Sequence, residues 1–282
     1  MQHTTQLQPA KSANNANVFT QTWTPDNQQN IEAVICLVHG LGEHSGRYEH
    51  VAQFFTDNNI VVTAIDLNGH GKTEGTRGDT LSYNLLLDQV DDLVKQATEQ
   101  FPNKPIFIYG HSMGGNIVIA DALQRNPAVK GFIVTAPFLE PGTPIPTLKF
   151  LAGKVIGSIY GAFRLPNGLD VNKLARDPKV GAAYTNDPLV HDQISARWFF
   201  PAYQVAKDAL AGGIKNLKTP MLLMHGTADE LTSFEASKRL AAQNTTAITF
   251  KEWTGFYHEL HNEPEQREIM NYELAWMHQQ MK

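Results

Sequence analysis

Ser112 stands in Gly110-His111-Ser112-Met113-Gly114, and the pattern of the chain changes period on either side of it. Upstream, Ile106 to Tyr109 is aromatic and β-branched, as a buried parallel strand requires; downstream, Ile117, Ile119, Ala120 and Leu123 recur at helical spacing. A serine at such a join forms the G-x-S-x-G nucleophile elbow. The flanking glycines lack Cβ atoms, so neighbouring backbone can crowd a strained turn that lifts the hydroxyl out of the sheet. Alone, so short a pattern describes an ordinary glycine-rich loop equally well. A serine nucleophile also needs a base, an acid that orients the base, and N–H donors for a developing oxyanion.

An acid is expected where a strand ends. Met221-Leu222-Leu223-Met224-His225-Gly226-Thr227-Ala228-Asp229 puts Asp229 there, in competition with a role as cap of a helix beginning near Thr232. Asp66 also ends an apolar run, but it precedes the serine, whereas G-x-S-x-G folds deliver serine, acid and histidine in that order. Asp66 reads instead as the organiser of the turn from Asn68 to Thr73. The base comes last, in Gly255-Phe256-Tyr257-His258-Glu259-Leu260-His261, where His258 lies nearer the preceding strand than His261. His39 and His70 read as turn organisers, His225 as a strand-end residue, and His3, His191 and His278 as surface residues.

The backbone N–H groups of Met113, next after the nucleophile, and Leu41, in His39-Gly40-Leu41-Gly42, are the expected oxyanion donors. The chemistry implied is acyl transfer through a covalent serine intermediate, with no metal and no cofactor. No helix carries an H-E-x-x-H pattern, the usual signature of a zinc hydrolase.

These residues need a scaffold that gathers strand ends. Residues 1–17 read as a flexible tail, and Val18 to Thr24 with Gln29 to Val34 as an antiparallel pair about Pro25-Asp26-Asn27. Strand and helix patterns then alternate from Ala33 to Thr135, stop across a proline-rich stretch, and resume at Pro220. The fold class is α/β: a doubly wound, mostly parallel sheet at 18–136 and 207–282, with a helical cap (lid) inserted at 137–206.

Composition limits the alternatives. Of 282 residues, 42% are hydrophobic and 18% charged, which suits a chain with a large core. A net charge of -5 without a basic run argues against a nucleic-acid partner. Cys36 is the single cysteine, so no intrachain disulfide forms; it lies in an apolar run as a small hydrophobe. Residues 1–30 hold no signal-peptide core, and a cytoplasmic location is expected. Nothing in the sequence fixes an oligomeric state.

Six blocks together resemble the monoacylglycerol lipase and bacterial lysophospholipase family of α/β-hydrolases. They are His39-Gly40-x-Gly42-Glu43-His44-Ser45-Gly46-Arg47-Tyr48, Asp66-x-x-Gly69-His70-Gly71, Gly110-His111-Ser112-Met113-Gly114-Gly115, Asn186-Asp187-Pro188-Leu189, Gly226-x-Ala228-Asp229 and Tyr257-His258-x-Leu260-His261-x-Glu263. The resemblance runs from about Trp23 to the end. It implies hydrolysis of a small lipid ester, a monoacylglycerol giving glycerol and a fatty acid, with lysophospholipase or broader carboxylesterase action as the alternative. A proline-type aminopeptidase shares the fold and the elbow. The resemblance also implies a glycerol head-group site at Glu43, Arg47 and His261; read without it, Glu43 and Arg47 form a surface ion pair and His261 is a spare histidine. Within the cap, Leu148 to Phe163 is helical and apolar with Gly153, Gly157 and Gly161 on one face, too short to span a bilayer. Packing of that glycine face against a neighbouring helix competes with contact at a membrane surface.

Overall fold

The computed structural model describes residues 1–10 and 15–282. From the amino terminus the core runs β1 (Gln2–Pro9), β2 (Asn17–Thr24), β3 (Ala33–Val38), α1 (Glu49–Asp57), β4 (Ile60–Ile65), α2 (Tyr83–Gln100), β5 (Ile106–His111), α3 (Met113–Gln124) and β6 (Gly131–Thr135). The inserted segment follows with α4 (Thr147–Ile159), β7 (Arg164–Pro166), α5 (Pro178–Asn186), β8 (Gln193–Ser195) and α6 (Ala196–Leu210). β9 (Met221–Gly226), α7 (Phe234–Ala241), β10 (Ile248–Trp253) and α8 (Gln266–Met281) complete the core.

The main sheet has eight strands in the order β1-β2-β4-β3-β5-β6-β9-β10. The run from β4 to β10 is parallel, and β1 and β2 are antiparallel additions at one edge. β3, β4, β5 and β6 are buried along their whole length, which explains their unbroken apolar runs: helices cover both faces, so no residue needs to be polar. One face packs against α2, α3 and α7, with α6 seated on those helices, in a core that includes Leu86, Ile117, Ala206 and Leu240. The other packs Trp23, Phe55, Phe107 and Trp276 beneath α1 and α8. The carboxyl ends of β3, β5, β9 and β10 therefore lie along one edge of the core, where such sheets place their sites.

The amino-terminal region differs from expectation. Residues 2–9 of the expected tail form β1, paired with β2 from Gln2↔Thr24 to Pro9↔Asn17. Every β1 residue is exposed, so its Gln- and Thr-rich sequence has no hydrophobic alternation to announce a strand. Residues 11–14 of that tail lie outside the described residues. β2 does not form a hairpin with the chain that follows it. It pairs with β4, while the wholly apolar β3 takes a central place between β4 and β5.

The boundary expected at residue 206 falls inside α6. Ala202, Ala206 and Ala209 are buried in the core, so this helix belongs to the inserted segment at one end and to the main body at the other. α4 has two unlike faces. A Cβ at Gly157 would press on Ala196 of α6 and one at Gly161 would collide with Arg197, so the glycine face is packed. The opposite stripe, Leu148, Leu151, Val155 and Ile159, is 81%, 53%, 61% and 84% exposed. Among the described residues no helix is long and apolar enough to cross a membrane.

Candidate active site

Ser112 links β5 to α3 with φ 53° and ψ −111°. For a residue with a Cβ this conformation costs about 1–3 kcal/mol, and the surrounding structure must hold it. Ser112 N–H donates to Thr135 O at 3.0 Å, while Ser112 O accepts from Asn116 N and Phe138 N, both at 3.0 Å. A Cβ at Gly114 would collide with the Val38 and His39 carbonyls, and one at Gly110 with the Gly114 carbonyl. The two glycines thus let β3, the elbow and α3 meet at backbone distance.

His258 follows β10 and Asp229 follows β9. His258 Nδ1 lies 2.7 Å from Asp229 Oδ2, and His258 Nε2 lies 3.0 Å from Ser112 Oγ. A carboxylate only accepts, so Nδ1 carries the proton and Nε2 turns its lone pair toward the serine hydroxyl. That tautomer can take the proton of Ser112 as Oγ attacks a carbonyl. His261 does not reach the nucleophile. It is buried against Tyr48, ring centroids 4.6 Å apart, behind His111.

Asp229 also organises its turn, but not as a helix cap. Its Oδ1 accepts from Leu231 N at 2.7 Å and Thr232 N at 3.0 Å, whereas α7 is capped by Ser233. Its Oδ2 accepts from Thr232 Oγ1 at 2.9 Å and faces His225 Nε2 at 2.9 Å, in addition to His258. Burial favours the neutral acid, yet the charges and hydrogen bonds of His258 and His225 hold the carboxyl below the usual carboxylate range. Burial likewise works against a charged His258, but Asp229 outweighs it and raises the imidazole above its ordinary value. Nothing in the sequence pattern marks His225 and Thr232 as partners of Asp229, although both lie within four residues of it. His111, 4.7 Å from the His258 ring, is anchored on Thr135 Oγ1; burial first and His258 second push it down to about 3, so it stays neutral.

Leu41 and Met113 line the cavity at Ser112, and among the described residues neither backbone N–H donates to a protein acceptor. The loop that carries Leu41 is fixed from behind. Leu67 N–H donates to His39 Nε2 at 3.0 Å, so Nδ1 is the protonated nitrogen and donates to Gly40 O at 2.7 Å. In a trans peptide N–H and C=O point oppositely, so holding the Gly40 carbonyl turns the Leu41 N–H the other way. Asp66 accepts from Ser45 N and Ser45 Oγ and from Lys72 N, tying this loop to the Asn68 to Thr73 turn.

Glu43 and Arg47 are no surface pair. Glu43 Oε1 accepts from Gly40 N at 2.6 Å and Tyr48 OH at 2.7 Å, and Oε2 accepts from Arg47 Nη1 at 2.5 Å. Arg47 also forks onto both oxygens of Glu259 at 2.7 Å, a partner that adjacency to His258 alone did not reveal. Burial opposes the charge on Arg47, and the two glutamates overcome it. Glu43 and Glu259 reach the cavity wall; Arg47 and His261 stand behind it. The cavity, about 290 Å³, is lined by Ile145, Leu174, Tyr184, Ile194, Trp198 and Phe199 from the inserted segment. Two of its carboxylates, Glu43 and Glu259, meet at Arg47, and the exposed lining is largely apolar.

The profile of a family described as "Serine aminopeptidase, S33" matches residues 29–265. A monoacylglycerol lipase of Mycolicibacterium smegmatis is 31% identical over 261 residues, covering 92% of each chain. An uncharacterized abhydrolase domain-containing protein of Dictyostelium discoideum is 33% identical over 93% of this chain, which spans only 28% of that longer protein. The crystal structure of a Paleococcus ferrophilus monoacylglycerol lipase superimposes with a TM-score of 0.84 at 32% identity, over 93% of this chain and 99% of that one. The six blocks read in the sequence point the same way, and with these matches the chain belongs to the serine aminopeptidase family of α/β-hydrolases, in common with these monoacylglycerol lipases.

Proposed function

We propose that the protein is a serine esterase that hydrolyses monoacylglycerols to glycerol and a free fatty acid. The observation that carries this is the unbroken line Asp229, His258, Ser112, at 2.7 and 3.0 Å, opening on a largely apolar cavity whose wall also holds Glu43 and Glu259. Ser112 Oγ attacks the ester carbonyl while His258 takes its proton, and the oxyanion turns toward the N–H groups of Leu41 and Met113. His258 returns the proton to the leaving glycerol oxygen, then activates the water that breaks the acyl-enzyme. The acyl chain lies along Leu174, Ile194 and Trp198, and the glycerol hydroxyls meet Glu43, with Arg47 and His261 backing that end. An aminoacyl substrate is a poorer fit. The buried carboxylates that line the cavity, Glu43 and Glu259, are both paired with Arg47, so a substrate ammonium would compete with a buried ion pair.

A substrate panel tests this: monoacylglycerols of graded chain length, lysophosphatidylcholine, diacylglycerol and aminoacyl anilides. The highest kcat/KM is expected for a monoacylglycerol, and fluorophosphonate should label the peptide that carries Ser112. Preferred cleavage of lysophosphatidylcholine or of an anilide would overturn the substrate assignment.

The α4 stripe serves as the contact with a lipid surface. By helical spacing Lys149 and Lys154 flank it on opposite sides, placed to reach head groups while Leu148, Val155 and Ile159 enter the apolar layer. Leu148→Asp with Val155→Asp is expected to abolish co-sedimentation with liposomes and to leave turnover of a soluble ester intact. Retained binding would exclude the stripe.

A further inference from the structure

The Asn186-Asp187-Pro188-Leu189 block lies in the inserted segment and touches no reacting atom, yet its strongest tie is to the loop of Leu41. Asp187 Oδ2 faces His44 Nε2 at 2.9 Å. A carboxylate only accepts, so Nε2 carries the proton and Nδ1 is free to accept from Gly46 N, which it does at 3.1 Å. Asp187 is held at its other oxygen, where Oδ1 accepts from Leu189 N at 2.8 Å.

The same span touches the loop twice more. Tyr184 OH donates to Leu41 O at 3.4 Å, and His191 N–H donates to Gly42 O at 2.9 Å. Gly42 has φ +79°, and a Cβ there would collide with the His191 carbonyl and the Tyr184 hydroxyl. Successive groups of one short loop are therefore held from two sides. The core grips Gly40 O through His39 and Ser45 through Asp66; the inserted segment grips Leu41 O, Gly42 O and His44.

We propose that Asp187, acting through His44, is a positioning residue for the oxyanion loop, and that the segment Tyr184 to His191 fixes the aim of the Leu41 N–H. The inserted domain then contributes to stabilising the transition state as well as to holding the acyl chain. This rests on the esterase reading above, in which the Leu41 N–H meets the oxyanion. Without the His44 to Asp187 tie, the loop keeps its core anchors but can rotate away from Ser112, and a displacement on the scale of 1 Å is enough to slow turnover.

The test uses p-nitrophenyl acetate, whose short acyl group makes no use of the cap cavity, and Asp187→Asn, His44→Ala and the double variant in the full chain. Each single variant is expected to lower kcat by about tenfold or more with KM little changed. The double variant should be no slower than the slower single variant. The affinity for a trifluoromethyl ketone, which forms an oxyanion on Ser112, should fall in step with kcat while the melting temperature holds. Unchanged kcat, effects that multiply in the double variant, or a fall in kcat without weaker ketone binding would each overturn the proposal. Wild-type protein that cleaves no ester overturns the esterase reading instead, so the two failures are distinguishable.

Discussion

Asp229→Asn is expected to lower kcat by about four orders of magnitude while KM changes little. The reason lies in one proton. Asp229 Oδ2 accepts the His258 Nδ1 proton at 2.7 Å and so leaves the Nε2 lone pair facing Ser112 Oγ at 3.0 Å. An amide N–H in the same place favours the other tautomer, in which Nε2 bears the proton and cannot take one from serine. The pH profile gives a second readout. His258 must be neutral to act as base, so activity is lost as pH falls through its pKa. Burial lowers that pKa and Asp229 raises it, with the net shift upward from 6.5; the acid limb of kcat/KM therefore lies above 6.5 in the wild type. Removing the charge leaves burial opposed only by the more distant Glu259 and Glu43, and the limb of the residual activity moves to lower pH. Measured on a p-nitrophenyl ester, an Asp229→Asn enzyme with an unmoved limb and kcat within tenfold of wild type would exclude Asp229 as the partner of His258.

The groups that make up this line were legible because each ends a strand, and a parallel sheet brings strand ends together without any contact having to be foreseen. Ser112 followed from local conformation, Asp229 and His258 from chain order. What stayed hidden depends on pairing between distant segments. Arg47 finds Glu259 across 212 positions and His44 finds Asp187 across 143, and nothing near either residue announces its partner. β1 was missed for another reason: a strand with both faces in water leaves no hydrophobic signature. The edge of the insertion was blurred because α6 carries the same apolar face from the cap into the core, with Trp198 lining the cavity and Ala206 buried in the core, where α6 packs on α2 and α3.

Distant pairing also explains why Glu43, Arg47 and Glu259 are charged at all in so enclosed a place. Desolvation of three such groups is offset only if each is matched, and a buried pair that loses one member leaves an uncompensated charge. Here every oxygen of Glu43 has a donor and the guanidinium spans two carboxylates. The network therefore anchors the core side of the loop from Gly40 to Tyr48, while Tyr184, Asp187 and His191 hold its other side.

Leu41→Pro is the substitution that isolates the donor on that loop. Proline has no backbone N–H, so the change deletes one of the two proposed oxyanion donors, while Met113 keeps the other. Loss of one such donor lowers kcat by about a hundred- to a thousandfold. The residue lines the cavity, and the anchors that hold the loop are contributed by Gly40, Glu43, His44 and Ser45, none of which is altered. The Asp229 to His258 pair is untouched, so the acid limb of the pH profile should stay where it is in the wild type even as the plateau falls. This separates the outcome from that of Asp229→Asn, in which the limb and the plateau move together. Fluorophosphonate should still react with Ser112 but more slowly, because its phosphoryl oxygen needs the same donors. A variant with near-normal kcat would mean that the oxyanion is met elsewhere, and a variant whose pH limb shifts would mean that proline had disturbed His258 rather than removed a donor.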